Sequence, residues 1–173
     1  MLFNTFEFLL FFLAVFLLFF SLPQKRRWIV LLASSYFFYG YWKPSYLILI
    51  ASSTISDYFI SNAIYKLKNQ KTKKSLLFLS ISLNLSLLFL FKYFDFLADS
   101  FNDLSSFVGS DYKLKLLNLV LPVGISFYTF QTMSYSLDIY YRNLKPTKDF
   151  IAFAAFVSFF PQLVAGPIER ASN

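Results

Sequence analysis

Two stretches place chemistry-capable side chains inside otherwise apolar sequence. The first follows Pro122 and Gly124 and runs Ser126, Thr129, Gln131, Thr132, Ser134, Ser136 and Asp138. It threads hydroxyls, one amide and one acid through a segment of membrane-spanning length. The second, residues 150–160, is nearly pure apolar, is cut by Pro161-Gln162 and is closed by Gly166-Pro167, with Arg170 just beyond. A helix needs about 20 apolar residues to cross a bilayer, and this one is interrupted at roughly half that depth. Non-helical backbone at membrane depth persists only where it is buried in protein or lines a cavity. Residues 121–170 therefore read as the wall of an intramembrane site. Ser126, Thr129 and Gln131 cannot share one helical face, so the first segment must meet protein or water on more than one side. It can do so as a structural hydrogen-bond network or as part of the site.

Three further polar residues lie within apolar sequence. Asp57, in Ser52-Ser53-Thr54-Ile55-Ser56-Asp57-Tyr58, is either a functional acid, as intramembrane acids are by default, or an acid near a helix end that snorkels or pairs with a lysine. Asn84, with Ser80, Ser82 and Ser86, reads as an interhelical contact, each such bond contributing about 0.6 kcal/mol. Asp138 precedes Ile139-Tyr140-Tyr141-Arg142 and reads as the partner of a cation at the interface, or as part of the site.

The absent residues exclude as much. The chain has no cysteine, hence no disulfide, thiolate metal site or thiol nucleophile, and no histidine, hence no imidazole base or ligand. No Gly-rich phosphate loop, nucleophile elbow, usefully spaced carboxylate pair or internal repeat is present. No catalytic residue and no metal site are expected within the chain.

The elements that must position these side chains follow from the composition. The chain has 173 residues, 57% hydrophobic, 23% aromatic and 14% charged. An ordinary soluble domain is about 45–50% apolar and about 25% charged. The apolar residues form long continuous runs, which excludes the short alternating segments of a β-barrel. The expected fold is an all-α integral membrane protein with about six hydrophobic segments, five spans and one broken or re-entrant segment, in a single membrane domain over residues 1–173 with no soluble domain. The expected segments are 2–22, 28–42, 46–65, 75–91, 114–140 and the broken 150–168. The run 2–22 lacks a basic region before it and a cleavage site after it, and reads as a retained span. Residues 94–112 alternate acids with apolar residues at three- and four-residue spacing, which predicts an amphipathic helix in the interface, with a turn at Gly109.

Charge sets the expected topology. Lys25, Arg26 and Arg27, five lysines within 66–74, and Arg142, Lys145 and Lys148 make up eleven of the 16 basic residues. These three clusters are two spans apart, so all can lie on one face, which the positive-inside rule makes cytoplasmic. The N-terminus and the acidic segment 94–112 then lie outside. The net charge of +7 points to the lipid surface and away from nucleic acid, because the cations fall between the apolar runs.

Residues 121–141, LPVGISFYTFQTMSYSLDIYY, and 156–170, FVSFFPQLVAGPIER, resemble the membrane-bound O-acyltransferase family, in the bacterial branch of the alginate O-acetyltransferases. The order of parts is also similar: Tyr36-Phe37-Phe38-Tyr39-Gly40-Tyr41-Trp42-Lys43-Pro44, the Asp57-Tyr58 pair, then the two motifs. The resemblance covers essentially the whole chain. It implies a multi-span helical protein of the bacterial inner membrane with a tunnel through the bilayer. It implies transfer of an acyl group, acetyl in type, from a cytoplasmic donor to a hydroxyl of an extracytoplasmic polysaccharide such as alginate, with periplasmic polysaccharide-modifying proteins as partners. Family members are much longer, and their catalytic histidine lies in the later half. The chain thus reads as an N-terminal portion, inactive alone and completed by the missing C-terminal half, with Gln131, Pro161, Gln162, Gly166, Pro167 and Arg170 shaping the tunnel. A D-alanyl transferase-like relative, or a non-enzymatic membrane fragment or scaffold, is the alternative. A transporter fits less well without a repeat.

Overall fold

A computed structural model of the chain describes residues 3–166. Among the described residues there are eight helices and no strand: α1 (Phe6–Ser21), α2 (Gln24–Trp42), α3 (Tyr46–Lys66), α4 (Gln70–Lys92), α5 (Phe94–Phe107), α6 (Ile125–Tyr140), α7 (Phe150–Ser158) and α8 (Phe160–Ala165). Two of them, α3 and α4, are long and apolar enough to cross a membrane. The α1 helix and the stretch Phe150–Val164 are shorter and also apolar.

The centre is a three-helix packing of α6 with α3 and α4, which also pack on each other. The α7 helix lies against α2 and α3, α8 against α2 and α6, and α1 against α2. Ile50, Ile64, Ile125, Tyr128, Ile139, Phe153, Val157 and Leu163 fill the interior. Large apolar side chains also cover the outside, including Phe6, Leu17, Ile48, Phe59 and Phe78. An exterior this apolar suits hydrocarbon or further protein rather than water.

Local chemistry ends and starts the helices. Thr5 caps α1 through Phe8 N, and Asn69 caps α4 through Lys71 N at 2.9 Å. Arg27 ties the α1–α2 turn together: its Nε donates to Leu22 O at 3.2 Å, and its guanidinium lies 5.1 Å from the Phe19 ring centre. The basic clusters expected as loops are largely helical. Lys25, Arg26 and Arg27 sit in the first turn of α2, and only residues 67–69 separate α3 from α4. Asn69 stops the chain there because its side chain satisfies an orphan N–H of the next helix.

The segment expected as one span over 114–140 is corrected. Residues 110–124 are non-helical, and α6 begins only at Ile125. Lys113 and Lys115 break the apolar run, Asn118 takes a positive φ of 49°, and Gly124 one of 76°. Helical bonds are replaced by bonds from one face of α5. Asn102 donates through Nδ2 to Leu114 O at 3.0 Å and accepts from Leu114 N at 2.7 Å. Asp95 accepts from Leu117 N at 2.8 Å, and Ser105 donates to Tyr112 O at 2.7 Å. Further along, Tyr46 donates its hydroxyl to Val120 O. Of the segment 94–112 expected as an amphipathic helix, Phe94–Phe107 is helical, as α5, with Phe96, Leu97, Phe101, Leu104 and Phe107 exposed. It ends at Gly109, whose φ of 77° is the left-handed geometry that glycine adopts without strain.

Candidate functional site

The break in the apolar stretch falls at Phe159, where φ is −54° and ψ is 108°. It lies two residues before Pro161, which enters the first turn of α8. The expectation of a cut at Pro161-Gln162 is thus shifted by two residues. The reason is steric: proline lacks the N–H of a helical bond and clashes with the preceding turn, but it fits a helix start.

A continuous helix would have joined Phe160 N to Phe156 O. Both ends of that missing bond are satisfied by neighbours. Ser35 of α2 accepts from Phe160 N at 3.3 Å through its hydroxyl oxygen, and Gln131 of α6 donates through Nε2 to Phe156 O at 3.1 Å. The same Gln131 amide reaches Gln162 Oε1 at 3.4 Å. Gln131 is 1% exposed. A buried orphan carbonyl costs about 1–3 kcal/mol, so the two side chains make the break sustainable. Both partners come from within the chain, on α2 and α6.

Gln131 and Gln162 therefore meet beside Pro161, a contact that the motifs did not specify. The turn into α6 belongs to the same site. A Cβ on Gly124 would lie 2.8 Å from Leu163 O, so α8 approaches the start of α6 closely enough to exclude any side chain there. Gly166 donates its N–H to Gln162 O at 3.0 Å and closes α8. Pro167 and Arg170 lie outside the described residues. Beside the break is a cavity of about 270 Å³, lined by Phe12, Val15, Phe16, Phe19, Phe20, Leu31, Phe159, Phe160 and Pro161, with no polar lining. Tyr39, Tyr128 and Thr129 have buried hydroxyls that find no hydrogen-bond partner among the described residues.

A second polar group lies where α3, α4 and α6 meet. Asp57 is fully buried. It accepts from the Ser80 hydroxyl, and from Asn84 Nδ2 at 2.7 Å. Asn84 also donates to Ser80 O at 3.0 Å, and its Oδ1 accepts from Ser53 at 2.9 Å and Thr132 at 3.2 Å. Ser80 lies 3.2 Å from the Ser136 hydroxyl, which lies 3.0 Å from that of Ser61. Neither snorkelling nor a lysine satisfies Asp57, because its position near mid-helix turns it inward to neutral donors. The interhelical reading of Asn84 and Ser80 agrees with this geometry. Thr132 and Ser136 turn to α3 and α4 while Gln131 turns to α7 and α8, so α6 does carry polar contacts on two sides.

Asp138 is placed differently from expectation. It accepts from Asn143 Nδ2 at 3.4 Å, its other carboxylate oxygen is buried without a partner among the described residues, and Asn143 N binds its backbone carbonyl at 2.9 Å. It caps the end of α6 and pairs with no cation among the described residues. Arg142, the nearby cation, takes a positive φ of 65° and stacks 4.5 Å above the Tyr65 ring. Among the described residues no three metal-ligating His, Cys, Asp or Glu side chains converge. The arrangement holds helices and backbone in place and offers amides and hydroxyls for binding.

Ser35 is a site residue that the motifs did not single out. A serine pair, Ser34-Ser35, within an apolar helix was the available signal.

No protein-family profile matches the chain, and no solved structure does. The chain is 38% identical over 172 residues to the probable alginate O-acetylase AlgI of Pseudomonas aeruginosa, covering 98% of this chain and 33% of that protein. It is 36% identical over 173 residues to the probable alginate O-acetylase AlgI of Azotobacter vinelandii, covering 98% and 34%. It is 36% identical over 205 aligned residues to the peptidoglycan O-acetyltransferase of Helicobacter pylori, covering 100% and 38%. The chain spans about a third of the length of these curated relatives. With its motifs, its apolar helices and this similarity along its whole length, the chain belongs to the membrane-bound O-acyltransferase family.

Proposed function

We propose that the chain forms part of a membrane O-acyltransferase that moves an acetyl-type acyl group to a hydroxyl of an extracytoplasmic glycan. The observation that carries this is the 38% identity, over 98% of the chain, to a probable alginate O-acetylase. In this reading the chain is one membrane domain of the bacterial inner membrane, with α5 in the interface. The three basic clusters face the cytoplasm, where the acyl donor is supplied, and the N-terminus is outside. Ester formation from a hydroxyl needs a base to take its proton. The chain has no histidine, so its part is to build the tunnel wall. Gln131, Pro161 and Gln162 shape that wall, with Gly166, Pro167 and Arg170 beyond them. Periplasmic proteins that handle the glycan are its expected partners. The relatives' names support both an alginate-like polysaccharide and peptidoglycan as acceptor class, each a hydroxyl-bearing glycan.

The test is a chimaera in which this chain replaces the matching third of the Pseudomonas aeruginosa relative. Acetyl esters on alginate are the expected result. Esters on peptidoglycan alone would shift the acceptor assignment. A chimaera that accumulates normally in the membrane but esterifies neither glycan overturns the reading.

A further inference from the structure

Asp57 is the single carboxyl among the described residues that is fully buried, and no cation faces it. On α3 its polar neighbours are Ser53, Thr54 and Ser61; α4 brings Ser80 and Asn84, and α6 brings Thr132 and Ser136. The α7 helix carries no ionisable side chain from Phe150 to Ser158. On α2 the ionisable groups are tyrosines and the first-turn cations Lys25, Arg26 and Arg27. Lys73, buried on α4, precedes Ser80 by seven residues, about 10 Å of helix rise. An unpaired intramembrane acid is costly and marks a functional site by default.

The hydrogen-bond inventory around Asp57 has an unusual property. Asn84 is pinned: its two N–H groups go to Asp57 and Ser80 O, and its carbonyl accepts from Ser53 and Thr132. Its partners do not change with the state of the acid. The hydroxyls of Ser80, Ser136 and Ser61 form a file at 3.2 and 3.0 Å. Each hydroxyl donates once and accepts as well. With Asp57 ionised, Ser80 donates to the carboxylate, and Ser136 and Ser61 share the next bond. With Asp57 protonated, the carboxyl donates to Ser80, Ser80 to Ser136 and Ser136 to Ser61. The geometry sets Ser80 as donor to Ser136, the arrangement of the protonated state, and the ionised state follows by turning the hydroxyl hydrogens.

We propose that Asp57 is an exchangeable proton site, wired by Ser80, Ser136 and Ser61 toward the 66–74 end of α3 and α4. On release, the Asp57 O–H bond breaks as an O–H bond forms on Ser80. Ser80 and then Ser136 pass on their own protons in turn, and Ser61, itself fully buried, gives its proton to a water that enters from the 66–74 end when the helix ends open. Uptake from hydronium reverses each step. Ser61 lies five residues before Lys66, the last residue of α3, so the file ends about 8 Å from that helix end. At its other edge the network borders a cavity of about 230 Å³, lined by Ser52, Ser53, Ser56, Leu83, Asn84 and Leu87, polar and roomy enough for water. This site does not depend on the acyl-transfer reading, and its test uses no enzymatic readout.

The test is infrared difference spectroscopy of the full chain in lipid nanodiscs, between acidic and alkaline buffer and after transfer to heavy water. A buried carboxylic-acid band that converts to carboxylate, and that Asp57→Asn removes, is expected. Ser136→Ala leaves Asp57 and its Ser80 bond in place but cuts the file. It should keep the band and slow its hydrogen–deuterium exchange about tenfold, the rate equivalent of one lost hydrogen bond. Circular dichroism should match the parent, with melting lowered by no more than the loss of its hydrogen bonds accounts for. A carboxyl band that never titrates, or exchange at the parent rate in Ser136→Ala, overturns the proposal. The Ser136→Ala measurement decides the matter even if Asp57→Asn fails to fold.

Discussion

Gln131 holds the polypeptide where the helix stops. Its amide meets Phe156 O at 3.1 Å and Gln162 Oε1 at 3.4 Å from a position 1% exposed. A hydrogen bond between membrane helices is worth about 0.6 kcal/mol, whereas a buried carbonyl left without a donor costs about 1–3 kcal/mol. The second figure governs here, because Phe156 O has lost its helical donor to the break. Gln131→Ala should therefore destabilise the chain by about 1–3 kcal/mol. Gln131→Glu should do at least as much harm wherever the new side chain is ionised, since it then sets a carboxylate, which cannot donate, against a carbonyl. Denaturant titration in micelles measures this, and an unchanged midpoint for Gln131→Ala would show that the amide is not what satisfies the break.

Among the elements, the return segment 110–124 makes the clearest case of backbone supported without secondary structure. Its groups bind α5 side chains spaced along one helical face, at Asp95, Asn102 and Ser105. Asn102 matters most, because its side-chain amide both donates to and accepts from Leu114, as a paired strand would. Asn102→Ala should release this segment while leaving α5 helical. Lys113 and Lys115 then become accessible, and trypsin should cut there several-fold faster, about the factor that one to two lost hydrogen bonds imply. Equal cleavage rates for variant and parent would remove the clasp from the account. The α7–α8 break follows the same logic at smaller scale: an irregular backbone is kept because Ser35 and Gln131 meet its two exposed groups.

For the whole molecule, the outward-facing Phe and Leu side chains of α1, α3 and α4 and the inward-facing hydroxyls, amides and acid reverse the pattern of a water-soluble protein. That reversal fits hydrocarbon outside and an interior that supplies the hydrogen bonds. The basic clusters give the orientation that we propose. With no native cysteine, single introduced cysteines report sidedness without background. In intact cells, a membrane-impermeant maleimide should label Lys43→Cys and Ser110→Cys, and should leave Lys68→Cys and Lys148→Cys unlabelled until the membrane is opened. The inverse pattern would place the basic ends outside.

The order and type of most helices, the amphipathic character of α5, the turn at Gly109 and the interruption of the last apolar stretch near Pro161 could all be read from the amino-acid pattern. So could the family, because its motifs are long runs of specific residues. These features are local, or are fixed by what apolar surroundings permit. Sequence alone did not give the residues that close the remaining hydrogen bonds. Ser35 and Phe160 are 125 positions apart, and nothing in either residue names the other. Asp57 looked like an acid near a helix end, yet α4 and α6 supply it with donors and turn it inward. The 114–140 stretch looked like one long span, yet α5 binds its first part in non-helical form. In each case a polar group in an apolar interior must find a partner, and only the packing of distant helices decides which one it finds.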